Sequence, residues 1–174
     1  MSFSMTDRRT RQGKATENEV RKSLIYLSKK WSKMWWMRMF DAKSFYAINS
    51  RLQAPRQPSD FIVVVNSRFY ALEVKSGSSQ RRYQLSNVKE HQKESLLAID
   101  EAGGEGWILL SWRRWKHMPR RNNELYGFRI KTWLKMEAEE SKKSVSWQTI
   151  IQRGKEFRRK GVWLLEPLFT RMRN

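Results

Sequence analysis

The sequence predicts an α/β protein, a mixed β-sheet flanked by helices with elements in the order helix, three strands, helix, strand. Three observations carry that expectation. Two short runs rich in β-branched and aromatic residues, about Asp60 to Val65 and Arg68 to Lys75, flank the dipeptide Asn66-Ser67. Apolar residues recur at helical spacing before them (Val20, Leu24, Leu27, Trp31) and after them (Val88, Leu96, Ile99). A largely apolar run, Trp107 to Trp112, follows the second stripe and reads as a buried strand.

Taken in order, residues 1 to 13 are polar and basic without periodicity and read as a loose basic arm, with residues 14 to 174 forming one domain. The first helix is expected from about Lys14 to Trp31. The Trp- and Met-rich stretch Ser32 to Phe40 carries no legible pattern, and Phe45 to Asn49 reads as the first strand. Pro55 and Pro58 mark the loop from Arg51 to Ser59. After the paired strands and a polar loop at Ser76 to Ser79, a second helix should run from about Asn87 to Ala102 and stop at Gly103-Gly104. Beyond Trp112 the chain turns basic and irregular, Leu125 to Ile130 reads as an edge strand, and the rest of the tail is helical in composition.

Composition narrows the function. Lys and Arg number 36 against 17 acidic residues, a formal net charge of +19 in 174 residues. Such an excess repels itself in a compact fold and points to a polyanion, since Lys and Arg neutralise phosphates and release condensed counterions. Cysteine is absent and there are only two histidines, His91 and His117. Thiolate metal sites, cysteine nucleophiles and histidine cages are thereby excluded or disfavoured. The longest apolar stretches are too short to span a bilayer, and the basic N-terminus has no apolar signal core, so a cytoplasmic location is expected (the host's, if the gene is phage-borne).

The strand pair carries the chemistry. If Asn66-Ser67 is a two-residue hairpin turn, Val65 pairs with Arg68, and counting outward sets Asp60 opposite Glu73. Opposed residues on an antiparallel pair share a face with Cβ atoms about 4.5–5.5 Å apart, where like charges destabilise the sheet. A hard divalent cation such as Mg²⁺, bound by oxygen and keeping waters for a phosphate, resolves the conflict. Lys75, two residues past Glu73, falls on the same face and can position an attacking water or stabilise developing charge. Two acids, a metal and a lysine suit phosphodiester hydrolysis. The competing reading has the acids only capping strand ends and pairing with nearby Arg or Lys. Glu17 lies on the apolar stripe of the first helix and either joins the metal, directly or through water, or is a partly exposed acid favoured by the helix dipole. Glu19 projects from nearly the opposite side and reads as solvent-facing. Gln92 falls between Val88 and Leu96, where it either reaches into the site or serves as a core amide.

These residues, Pro58-Ser59-Asp60 followed by Glu73-Val74-Lys75, resemble the PD-(D/E)XK nuclease superfamily. Arg11-Gln12-Gly13-Lys14-Ala15-Thr16-Glu17 is similar to the opening helix of archaeal- and phage-type Holliday junction resolvases. Tyr83-Gln84-Leu85, Val88 to Gln92 and Gly103-Gly104 resemble the RecU-type resolvases of bacteria. The resemblance runs from about Arg11 to Trp112. It departs at Ser59, which separates Pro58 from Asp60, and in lacking the basic stalk insertion of the RecU-type enzymes in its usual place.

The resemblance implies a restriction-endonuclease-like core in a single nuclease domain with a basic C-terminal extension from about residue 113. It implies a Mg²⁺-dependent homodimer (Mn²⁺ substituting) that nicks two strands symmetrically across a four-way DNA junction in recombination. Glu17, Asp60, Glu73 and Lys75 would be catalytic with Gln92 in support, and Asp60, Glu73, Glu17 and the Val74 carbonyl would hold the metal. Basic and aromatic residues are expected to meet DNA at Arg8, Arg9, Arg11, Lys14, Arg51, Arg81, Arg82, His91, Arg113, Arg114 and Lys116. The alternatives are another nuclease of the same superfamily (restriction, repair or flap cleavage) and a DNA-binding protein without catalysis.

Overall fold

A computed structural model describes residues 5–39, 57–79, 81–113, 123–140 and 143–170, with side chains from residue 11 onward. Helix α1 (Met5–Lys30) leads into β1 (Met34–Arg38), β2 (Phe61–Val65) and β3 (Arg68–Gly77). A short β4 (Arg82–Gln84) and a single 3₁₀ turn (Leu85–Asn87) precede α2 (Glu90–Glu101), which returns the chain to β5 (Glu105–Arg113). The tail supplies β6 (Asn123–Arg129), α3 (Ile130–Glu139), β7 (Ser144–Ser146) and α4 (Trp147–Arg153). It ends with β8 (Lys155–Phe157), β9 (Arg159–Lys160), β10 (Val162–Trp163) and α5 (Glu166–Phe169).

Six strands form one mixed sheet in the order β1-β2-β3-β5-β6-β8. The β3–β5 pair is parallel and the other four pairings are antiparallel. A parallel neighbour needs a crossover, and α2 provides it. Each face of the sheet is covered by its own apolar cluster. Val20, Leu24 and Leu27 of α1 pack with Phe61, Val63, Tyr70, Leu72 and Leu109 on one side. On the other, Val88 and Leu96 join Ala71, Ile108, Leu110 and Phe128 with Trp133, Trp147 and Ile150 from the tail. The stripe Val20, Leu24, Leu27 is fully buried, as its 3.6-residue period requires of a helix lying on a sheet.

α2 ends as its two glycines predict. Gly103 adopts φ +89°, its N–H reaches Asp100 O at 3.3 Å, and Gly104 N–H reaches Ile99 O at 2.9 Å. These are the paired bonds of a Schellman ending, which favours glycine at the left-handed position.

Four expectations need correction. The arm is not loose as far as residue 13, because α1 already begins at Met5; Met, Arg and Gln are good helix formers and extend a helix that packing has nucleated further along. Met34–Arg38, which has no legible pattern in sequence, is strand β1, paired with β2 and at the edge of the sheet among the described residues. β6 is an interior strand, because β8 from the tail pairs with its outer side. The tail carries the helices its composition suggests, α3, α4 and α5, but it also adds β8 to the sheet, pairs β7 with β4 and folds β9 onto β10. The strand expected at Phe45 to Asn49 lies outside the described residues. No helix among them is long and apolar enough to cross a membrane.

Candidate active site

The β2–β3 turn sets the register. Asn66 and Ser67 have φ of 49° and 62°, both left-handed, as a two-residue type I′ hairpin demands. Val65 consequently pairs with Arg68 and Phe61 with Leu72, and one step further sets Asp60 across from Glu73. The Asp60 side chain folds over the next peptide, where the Val74 N–H donates to Oδ2 at 2.7 Å. Glu73, only 2% exposed, sits in the central strand of the sheet. Its Oε1 accepts from Gln92 Nε2 at 2.6 Å and lies 2.6 Å from Lys75 Nζ.

Gln92 reaches Glu73 because α2 crosses over β3 and presents its first turn to the site. The amide has a second duty: its Oε1 accepts from the Lys89 N–H at 3.0 Å, closing the N-terminus of α2. One side chain thus ties the helix end to the central carboxylate.

Burial and like charge govern the acids. Desolvation pushes Asp60 from 3.8 up to about 7, the Glu73 charge adds to the rise, and the Val74 N–H opposes it. Glu73 is raised as well, chiefly by burial, while Lys75 pulls the other way. Glu17 approaches closely enough for its charge to raise both. Its own carboxylate is held by Arg38, whose NH2 lies 2.5 Å from Oε2.

Three acids thus face two cations, Lys75 and Arg38, so the cluster carries one negative charge in excess once all three carboxyls are ionised. Among the described residues no donor reaches Asp60 Oδ1 or Glu73 Oε2. Nor do three or more Asp, Glu or His residues there converge into a ready metal cage. Two hard carboxylate oxygens with unmet negative charge, beside a strand backbone, fit a divalent cation that keeps part of its water shell. They do not fit a soft or histidine-loving metal.

Some expected residues stand elsewhere. Arg113 does not face solvent for a phosphate: its side chain is only 16% exposed, with Nε donating to Thr16 Oγ1 at 2.9 Å and NH2 3.3 Å from Glu19. Glu19 is accordingly not solvent-facing; it is enclosed by Arg113 and Arg159. Arg82 is turned onto the tail, where it meets Ser144 Oγ at 2.8 Å, the Ser144 carbonyl, and Glu140 at 3.1 Å. Arg11, Lys14 and Arg81 are exposed and His91 is half-buried. Arg8 and Arg9 lie on α1 with side chains outside the described residues, as are Arg51, Arg114, Lys116 and His117 altogether.

Two contributors were not foreseen. Arg38 comes from the strand that had no readable pattern. A stacked pair, Trp112 and Trp147, has ring centroids 4.7 Å apart and planes within 8°. Both indoles donate to the Ser79 carbonyl, at 3.2 and 2.8 Å, and so hold the loop that follows Lys75. Gly77 makes room for them, since a Cβ there would come within 2.8 Å of Trp147. The abundance of Trp signals rigid packing, but nothing in the sequence says that residue 147 meets residue 79.

Comparison with known proteins places this geometry in context. A family model, Recombination protein U (RecU), matches residues 14–168. Among solved structures the chain is similar to Hjc of Archaeoglobus fulgidus, described as a Holliday junction resolvase from an archaeal hyperthermophile. That likeness has 16% identity and a TM-score of 0.46, covering 80% of this chain and 93% of that one. Among curated proteins none matches.

Proposed function

The chain belongs to the RecU (recombination protein U) family, and we infer from that membership that it is a Holliday junction resolvase, a metal-dependent nuclease of the PD-(D/E)XK type. From that premise we propose that it cuts with Mg²⁺, making paired symmetric nicks, at a site formed by Asp60, Glu73 and Lys75 with Glu17 and Gln92 in support. The observation that carries the proposal is the opposition of Asp60 and Glu73 across the β2–β3 hairpin, with Lys75 Nζ 2.6 Å from Glu73.

Asp60 Oδ1, Glu73 Oε2 and the Val74 carbonyl would hold the cation. When bound, it supplies Lewis-acid stabilisation of phosphoryl charge and a water of lowered pKa. Lys75, anchored on Glu73, would keep its ammonium beside the scissile phosphate, orienting the attacking water and compensating charge as the P–O bond breaks. Gln92 would fix the Glu73 rotamer so that one oxygen stays turned toward the metal. Glu17 would act from outside, through its charge and its Arg38 partner.

A four-way junction is two-fold symmetric, and a C2 dimer would bring one such site to each of two strands. An exposed apolar row is available for a second copy. Trp35 pairs with Val64 and Val64 with Phe69 across three strands, and Trp35 and Phe69 are 54% and 37% exposed. The branched substrate would bring the enzyme to the cell's DNA, in the cytoplasm.

The test compares a four-way junction with duplex and flap DNA of matched sequence, with Mg²⁺ or with chelator, for wild type, Asp60→Asn and Lys75→Ala. Paired nicks at symmetric positions, dependent on Mg²⁺ and lost in both variants, are expected. Wild-type cleavage by Asp60→Asn would remove the assignment.

A further inference from the structure

The β9–β10 ribbon is a tight basic knuckle. Lys160 pairs with Val162 and Arg159 with Trp163, so the bend turns on Gly161, whose φ of +73° favours glycine. Leu164 N–H closes the base onto Arg158 O at 2.8 Å, and Trp163 N–H donates to the buried Ser23 Oγ of α1 at 2.9 Å. The knuckle is therefore fastened to α1 by its buried side. Arg158, Arg159 and Lys160 of the knuckle are all exposed.

The charges there are not balanced within the fold. Arg159 stacks over Trp163, 5.3 Å from the ring, and lies 3.5 Å from Glu19. Glu19 is shared with Arg113, and the two guanidiniums repel. Arg158 and Lys160 have no acid partner among the described residues. Two guanidiniums thus share one carboxylate, and two further cations flank Arg159 in sequence with no acid of their own. Crowding of this kind opposes folding unless an anion outside the chain offsets it.

The knuckle also sits beside the candidate site. Glu17 and Glu19 leave α1 about 200° apart at 100° per residue, one toward Arg38 and the acid pair, the other toward Arg113 and Arg159. The two surfaces flank the same turn of α1, separated by about one helix diameter, 10–12 Å. That is about three phosphates along one strand at 3.4 Å each.

We propose that Arg158, Arg159 and Lys160 form a phosphate-binding wing that grips the DNA backbone flanking the cleavage point, on a segment outside every expected DNA contact. The proposal rests on the resolvase reading for its ligand. Being a backbone contact, it contributes affinity and placement without base preference.

The test is equilibrium binding of a fluorescent four-way junction to the full chain in chelator, over a series of NaCl concentrations, so that no cleavage enters. Arg158→Ala/Lys160→Ala should lower the slope of log affinity against log salt by about 1.8, at about 0.9 per phosphate lost, with a melting temperature no lower than wild type. Lys135→Ala/Lys143→Ala removes the same charge from exposed positions on the opposite side of the sheet and should leave the slope near wild type. Equal slopes for wild type and the knuckle variant, or equal losses in both double variants, would overturn the proposal. Either result leaves the active-site assignment intact, and residual cutting by Asp60→Asn would leave the knuckle intact.

Discussion

In chelator, Asp60→Asn should make the protein more stable, and only at neutral to alkaline pH. Burial and the Glu73 charge hold the Asp60 carboxyl at about 7 in the folded chain, against 3.8 for the ordinary group. A raised carboxyl means the unfolded chain loses its proton first. Folding therefore suffers no penalty below about pH 4, a growing one from 4 to 7, and a constant one above. The gap of about 3 pH units corresponds to about 4 kcal/mol at most. Asp60 keeps contact with solvent, and screening reduces the cost to about 2 kcal/mol. Asparagine cannot ionise, yet its amide oxygen still accepts from the Val74 N–H. At pH 8 the variant should melt about 4–8 °C above wild type, and near pH 4 the two should coincide. Differential scanning calorimetry at both pH values measures this. A variant that melts below wild type at pH 8, or a difference independent of pH, would refute the picture of two buried acids in conflict.

Three further outcomes follow from the same geometry. Because a cation must displace protons from raised acids, stabilisation of wild type by Mg²⁺ in calorimetry should grow from pH 6 to pH 8 and vanish in Asp60→Asn. Lys75→Ala should slow single-turnover junction cleavage by about 10²–10⁴-fold with junction binding retained, since the ammonium assists the reaction more than it holds DNA; a deficit confined to binding would contradict this. Gln92→Leu removes the donor to Glu73 and the acceptor for Lys89 together. It should cost about 10–100-fold in cleavage or metal affinity, and wild-type values for both would deny Gln92 its positioning role.

Much of the central region was legible in sequence, for a local reason. A two-residue turn and a period of two leave no freedom in which residues oppose, so Asn66-Ser67 suffices to bring Asp60 to Glu73 and Lys75 onto their face. The glycine pair ends α2, and the apolar stripe of α1 meets the sheet, because caps and periodicity act within a few residues. Net charge, too, is independent of fold, and it pointed to a polyanion from the outset.

Tertiary structure alone decided what depends on contacts remote in sequence. Arg82 and Arg113 read as phosphate ligands in a basic stretch, yet each found nearby acids and hydroxyls, 58 to 62 residues away for Arg82 and 94 to 97 for Arg113. Edge or interior status of β6 was set by a strand that pairs from the tail. Trp147 reached Ser79 across 68 residues. A strand pattern or a cap is written by neighbours along the chain, but an ion pair is chosen by whatever the packed layers bring within 4 Å. Local chemistry therefore fixed where the acids stand, and only the closed fold decided which of the many cations remained free to meet DNA.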